Sequence, residues 1–108
     1  MHIIIAGHGK VGVTLLQQLS QEGHDLTLID MNRSVLDGAV TRHDVMAVQG
    51  NCAAQQVLLD AGVMDADLLI AVTGADEGQN LEVRLRNRLD RISGIAAAGT
   101  RTGTVTTG

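Results

Sequence analysis

Three glycines spaced G-x-G-x-x-G, Gly7, Gly9 and Gly12, and one carboxylate 18 residues further on, Asp30, are the residues of this 108-residue chain best placed to do chemistry. In such a run the first glycine permits a tight turn and the second lets the backbone approach a pyrophosphate. The third allows a helix to pack closely on the preceding strand. Asp30 stands where an acid at the end of the next strand takes both hydroxyls of a ribose. His8, Lys10 and Val11 fill the variable places of the loop, and a helix opening there aims its unpaired N–H groups at phosphates. The pattern predicts an adenine dinucleotide site. The carboxylate repels a 2′-phosphate, which favours NAD or NADH over NADP, while the ribose of ATP or ADP fits it equally well. Plainer readings stand beside these: the glycines make a strand-to-helix turn only, Asp30 caps the next helix, and His8 faces solvent.

Two further strand ends belong to the same reading. Asn51, in Gln49-Gly50-Asn51-Cys52, is placed either to meet the edge of an adenine base or to cap the following helix. Thr73 and Gly74 lie across the switch point from the glycine loop, where open parallel sheets take their ligands, or else form an ordinary turn. No residue is assigned a catalytic or metal-binding role. His2, His24 and His43 have no ligating partner three or four residues away, and no Ser-His-Asp or Cys-His spacing marks a nucleophile.

The elements that position these residues follow from hydrophobic periodicity. His2 to Ala6 is a continuous apolar run of the kind buried in a parallel sheet. Val11, Leu15, Leu16 and Leu19 recur at helical spacing, with Gly23 as a left-handed cap. Leu26 to Ile29 is the second strand, 34–40 a short helix weakened by Gly38, and Val45 to Val48 the third strand. A helix over 53–61 with Gly62 beyond it precedes a fourth strand, 67–72. A further helix after Thr73 carries Asp76 and Glu77 in its first turn. Alternation at this pitch predicts an α/β, Rossmann-like parallel sheet of order 3-2-1-4.

Composition bounds the rest. With no Phe, Trp or Tyr, the core must be built from Leu, Ile, Val, Ala and Met. The same absence removes stacking platforms for single strands, and a net charge of −4 repels phosphate backbones, so nucleic acid is excluded as a partner. The opening Met1-His2-Ile3-Ile4-Ile5 has no basic leader and is too short to span a membrane, which predicts a cytosolic domain without membrane insertion. Lone Cys52 agrees with a reducing compartment. The chain changes character near residue 81. The first 80 residues hold three basic and ten acidic side chains, net −7, whereas the rest hold five and two, net +3. From Gly94 the chain is mostly Ala, Gly and Thr. The expectation is a nucleotide-binding domain over 1–93 and a disordered tail over 94–108. The sheet then stops at strand 4 with an incomplete second half, and its open edge favours a homo-oligomer.

Taken together, the segments Ile3-Ile4-Ile5-Ala6-Gly7-His8-Gly9-Lys10-Val11-Gly12, 19–25, Leu28-Ile29-Asp30, 48–51 and 66–73 resemble the N-terminal domain of the Trk potassium-uptake regulatory subunit. That domain belongs to the wider family that regulates potassium transport by binding nucleotides. The resemblance covers residues 1–80 and includes connecting segments as well as glycines. It implies a non-catalytic, cytoplasmic, peripheral subunit that binds NAD or NADH, or ATP or ADP, and gates a membrane potassium transporter subunit. It places the nucleotide contacts on 7–11, Asp30 and Thr73-Gly74, with Asn51 secondary. Beyond Asn80 the chain departs from the family pattern, as a change of reading frame near residue 81 would produce. The competing reading is a fragment of an NAD-dependent dehydrogenase, which would need a substrate domain that nothing after residue 80 supplies.

Overall fold

The structure, a computed structural model, describes residues 1–6, 10–52, 54–74 and 101–107. Its elements are β1 (His2–Ala6), α1 (Lys10–Ser20), β2 (Asp25–Asp30), α2 (Arg33–Arg42), β3 (Met46–Gln49), α3 (Gln55–Asp60), a 3-10 turn (Val63–Asp65), β4 (Leu68–Gly74) and β5 (Arg101–Thr107). All four strand pairings are parallel, and the order is β3-β2-β1-β4-β5.

Side chains alternate across a strand, so β1 feeds two cores at once. Ile3 and Ile5 pack on one face with Leu16 of α1 and Leu36 and Ala39 of α2, alongside Leu26, Leu28, Ile70 and Val72. Ile4 and Ala6 pack on the other face with Leu58, Ala61, Val63 and Ala66, alongside Ile29, Leu69 and Ala71. The chain winds outward from β1 through β2 to β3 and then jumps back to β4. A constant crossover hand therefore puts α1 and α2 on one face and α3 on the other. Ile, Leu, Val and Ala make up the buried clusters of both layers, and each fully buried large one, such as Leu16 or Leu58, contributes about 1.5–3 kcal/mol.

The ends of the elements have local causes. Past α1, Gly23 takes φ +80 and its N–H donates to the Ser20 carbonyl. Gly62, at φ +83, makes the equivalent left-handed turn after α3. Ahead of β4, the Asp67 side chain accepts from the His2 backbone N–H at 2.9 Å while its own N–H donates to the His2 carbonyl at 2.8 Å. That clasp fixes the start of β4 beside the start of β1. His2 opens β1 as expected, and its ring Nε2 lies 3.3 Å from the hydroxyl of buried Thr27.

The expected order 3-2-1-4 is present, with one addition. Residues 101–107 form β5, paired along its whole length with β4 from Leu68↔Arg101 to Gly74↔Thr107. This corrects the expectation of a disordered tail over that stretch, and of a sheet that stops at strand 4 and leaves it as the open edge. The physical reason lies in Thr102, Thr104, Val105, Thr106 and Thr107. Such β-branched residues suit a pleated surface without supplying the apolar mass by which a buried strand is recognised. The boundary placed between 93 and 94, and the helix expected to carry Asp76 and Glu77, lie outside the described residues.

Candidate functional site

The carboxyl ends of β1, β2, β3 and β4 converge on one rim of the sheet. Register sets their relative heights: Ala6 pairs with Ile29 on one side and Ala71 on the other, and Asp30 pairs with Gln49. Asp30 thus stands one step above the end of β1, on the side where the chain winds outward. The strand order reverses between β1 and β4, which is the crevice where open α/β sheets bind ligands.

Asp30 is the best-defined residue of the rim. It is 6% exposed and, with Thr27, one of two buried polar or charged side chains among the described residues. A buried carboxylate is costly unless hydrogen-bonded. Its Oδ1 accepts the backbone N–H of Asn32 at 2.8 Å, and the Asn32 side chain in turn accepts from the Ser34 N–H at 2.9 Å. Two successive side-chain-to-backbone bonds therefore lead from β2 into α2. The cap of α2 is Asn32, with extended backbone at φ −92 and ψ 111, so the plainer reading of Asp30 as the cap itself is corrected. Asp30 sits two residues earlier because its own residue is still paired in the strand.

Gly50 ties the neighbouring strand end to the same place. Its N–H donates to the Asp30 carbonyl at 3.1 Å, at φ +155, a conformation that residues with a Cβ rarely adopt. A Cβ there would lie 2.7 Å from Cγ2 of Val57. Sequence reasoning chose Asn51 from this segment and missed Gly50. The available signal was a glycine directly after an apolar strand.

Asn51 is exposed on the same rim, and its carbonyl accepts from the Ala54 N–H at 2.9 Å. The cap of α3 is Ala54, which makes no side-chain capping bond, so Asn51 does not cap that helix. Next to it Cys52 is half-buried and packs against the core beneath α3. Arg33, at the start of α2, leans outward: its side chain lies 3.4 Å from Asp37 and donates to Gln49 Oε1 at 3.4 Å.

The remaining sequence-predicted residues divide by position. Gly7, His8 and Gly9 lie outside the described residues. Lys10, Val11 and Gly12 form the first turn of α1, which opens at the carboxyl end of β1, where the phosphate reading requires a helix to start. Thr73 and Gly74 were expected just past strand 4, across the switch point from the glycine loop, or else in an ordinary turn. Instead they are its last two residues, paired with Thr106 and Thr107, because β5 prolongs the ladder. Among the described residues no group of three His, Cys, Asp or Glu could hold a metal ion, and no helix is long and apolar enough to cross a membrane.

Comparison with known proteins gives this rim a context. Residues 3–101 match the family model described as the TrkA-N domain. The Trk system potassium uptake protein TrkA of Haemophilus influenzae is 47% identical over 77 residues, which is 71% of this chain and 17% of that protein. The Halomonas elongata protein of the same name is 41% identical over 91 residues, covering 84% of this chain and 20% of its own. A TrkA homolog of Methanothermobacter thermautotrophicus is 36% identical over 81 residues, 75% of this chain and 38% of its own. The chain therefore spans about a fifth to two fifths of these relatives. Among solved structures, the Shewanella denitrificans Kef CTD in its AMP-bound form superposes with a TM-score of 0.71 at 23% identity, over 96% of this chain and 58% of that one. The TrkA-N domain of the Escherichia coli inner membrane protein ybaL gives 0.67 at 21% identity, over 97% and 86%. Both share the fold.

Proposed function

The chain belongs to the TrkA-N domain family, and on that footing we propose that it is a regulatory nucleotide-binding domain of a potassium-uptake system, with NAD or NADH as its ligand. The observation that carries this reading is Asp30, a buried carboxylate at the carboxyl end of β2, beside the reversal of strand order. In this reading Gly7, His8, Gly9, Lys10, Val11 and Gly12 cradle the phosphates at the start of α1, and Asp30 takes the ribose hydroxyls. Asn51 meets the base edge, while Thr73 and Gly74 border the far side of the crevice. Its place is the cytoplasmic face of the membrane, attached through a membrane potassium transporter subunit, and ligand occupancy acts on transport. No catalytic step is assigned to it.

A second reading is supported by the AMP-bound Kef CTD, which shares the fold. An adenosine mono-, di- or triphosphate would use the same ribose carboxylate and phosphate loop and leave the far side of the crevice unused. Thermal unfolding of the full chain with NAD, NADH, AMP, ADP and ATP tests both. A ligand at a hundred times its dissociation constant adds about 2.7 kcal/mol of stability. Stabilisation by the dinucleotides beyond that given by AMP supports the first reading, and equal stabilisation supports the second. Absence of any shift removes both.

A further inference from the structure

The chain contains no Phe, Trp or Tyr, so a bound purine has no such ring to stack on and needs another flat surface. The place of the base follows from the nucleotide reading proposed above, on which this inference rests. Phosphates at the start of α1 lie beyond β1, and a ribose on Asp30 lies at the end of β2. Base and 5′-phosphate leave a ribose from opposite ends of its ring, so the line continues towards β3. Neighbouring strands are about 4.8 Å apart, and one step past the ribose brings the base over the end of β3. Asp30 and Gln49, paired across β2 and β3, mark the two positions.

Arg33 stands there in a held attitude. It is the first residue of α2, directly after the cap Asn32. Its Nε lies 3.4 Å from Asp37 Oδ1, and its Nη1 donates to Gln49 Oε1 at 3.4 Å. Gln49 is held in turn, since its Nε2 donates to the Met31 carbonyl at 3.4 Å. A guanidinium is planar and its N–H groups point outward in that plane, so both anchors engage its edge. Neither uses its faces. The side chain is 72% exposed, which leaves a face open to a ligand. A groove of about 410 Å³ runs from Arg33 and Gln49 between α2 and β3, with Leu36, Val40 and Ala47 along it. That apolar flank keeps water from one side of the contact, which strengthens the attraction between a cation and a π-face.

We propose that Arg33 is the base-stacking residue of the nucleotide site, its guanidinium laid flat against the adenine and steadied by Gln49 and Asp37. Asp30 then reads the ribose, Asn51 the edge of the base and Arg33 its face. Stacking adds affinity without choosing among NAD, ADP and AMP, which share the adenine. Charge alone does not make the contact, because a lysine ammonium has neither a plane to lay on the ring nor a rigid fork to engage both anchors.

Titration of the full, isotope-labelled chain with AMP, followed by NMR, tests it, with ribose 5-phosphate as the ligand that lacks a base. Arg33→Ala weakens AMP binding about tenfold. Ribose 5-phosphate does not discriminate between Arg33→Ala and the wild type. Arg33→Lys stays within about threefold of Arg33→Ala for AMP. In the wild-type complex, nuclear Overhauser contacts join the adenine C–H protons to the Cδ protons of Arg33. The same spectra verify that each variant is folded. Unchanged AMP affinity in Arg33→Ala overturns the proposal. So does full recovery in Arg33→Lys or an equal loss for ribose 5-phosphate, either of which makes Arg33 a partner of phosphate charge. Asp30→Asn separates this failure from that of the nucleotide reading. AMP binding that needs Asp30 but not Arg33 keeps the site and removes the stack, whereas a wild-type chain that binds no AMP removes both.

Discussion

The two turns that leave β2 and β3 reach the same rim by different means. From β2 into α2 the path is wired by side chains: Asp30 holds the Asn32 N–H, and Asn32 holds the Ser34 N–H. From β3 into α3 it is set by backbone shape: Gly50 at φ +155 bonds the Asp30 carbonyl, and Ala54 then caps the helix with no side-chain bond. The first turn can lose one bond and keep its course. The second has one conformation that only glycine accepts without strain. The glycine-shaped turn is therefore the brittle one, and the side-chain-wired turn is where chemistry can be altered without losing the fold.

The largest effect should come from Gly50→Ala. The added Cβ meets Val57 at 2.7 Å and the backbone is held in a region costly to any other residue, so stability should fall by about 2–4 kcal/mol. Urea unfolding measures it, and a loss below about 1 kcal/mol would make the two turns equivalent. Asn32→Ala removes the α2 cap and should cost about 1 kcal/mol by the same assay. In the following helix, Gly38 has open space around its missing Cβ, so Gly38→Ala should raise stability by about 0.5–1 kcal/mol. Smallest of all, Asp30→Asn keeps an oxygen to accept the Asn32 N–H and should cost about 0.5 kcal/mol. A cost there as large as that of Gly50→Ala would mean that the carboxylate is chiefly structural.

Most of the sheet was legible because β1, β2 and the first part of β4 are apolar runs between glycine and polar punctuation. Their order followed from the alternation of strands and helices. Strand β5 was not legible. Its Thr-rich, Gly-interrupted sequence has strand propensity without apolar mass, and only the ladder on β4 reveals it. The same ladder extends β4 through Thr73 and Gly74, two residues beyond the expected end of the strand. At the site, Asp30 was visible from its spacing to the glycines. Asn32 as the cap was not, since Asp30, Asn32 and Ser34 all have capping side chains and register alone decides among them. Gly50 was hidden because its role depends on Val57, seven residues away, and on a carbonyl in the neighbouring strand.

Isothermal titration calorimetry of NAD, NADH and AMP against the wild-type chain and Asp30→Asn, with both shown by urea unfolding to be folded, is the most direct test of the nucleotide site. The account predicts saturable binding at one site per chain. Affinity should drop about tenfold or more in Asp30→Asn, since a hydrogen bond to a charged group contributes about 1.5–3 kcal/mol. Wild-type protein that binds none of the three, or equal affinity in the two proteins, would contradict it.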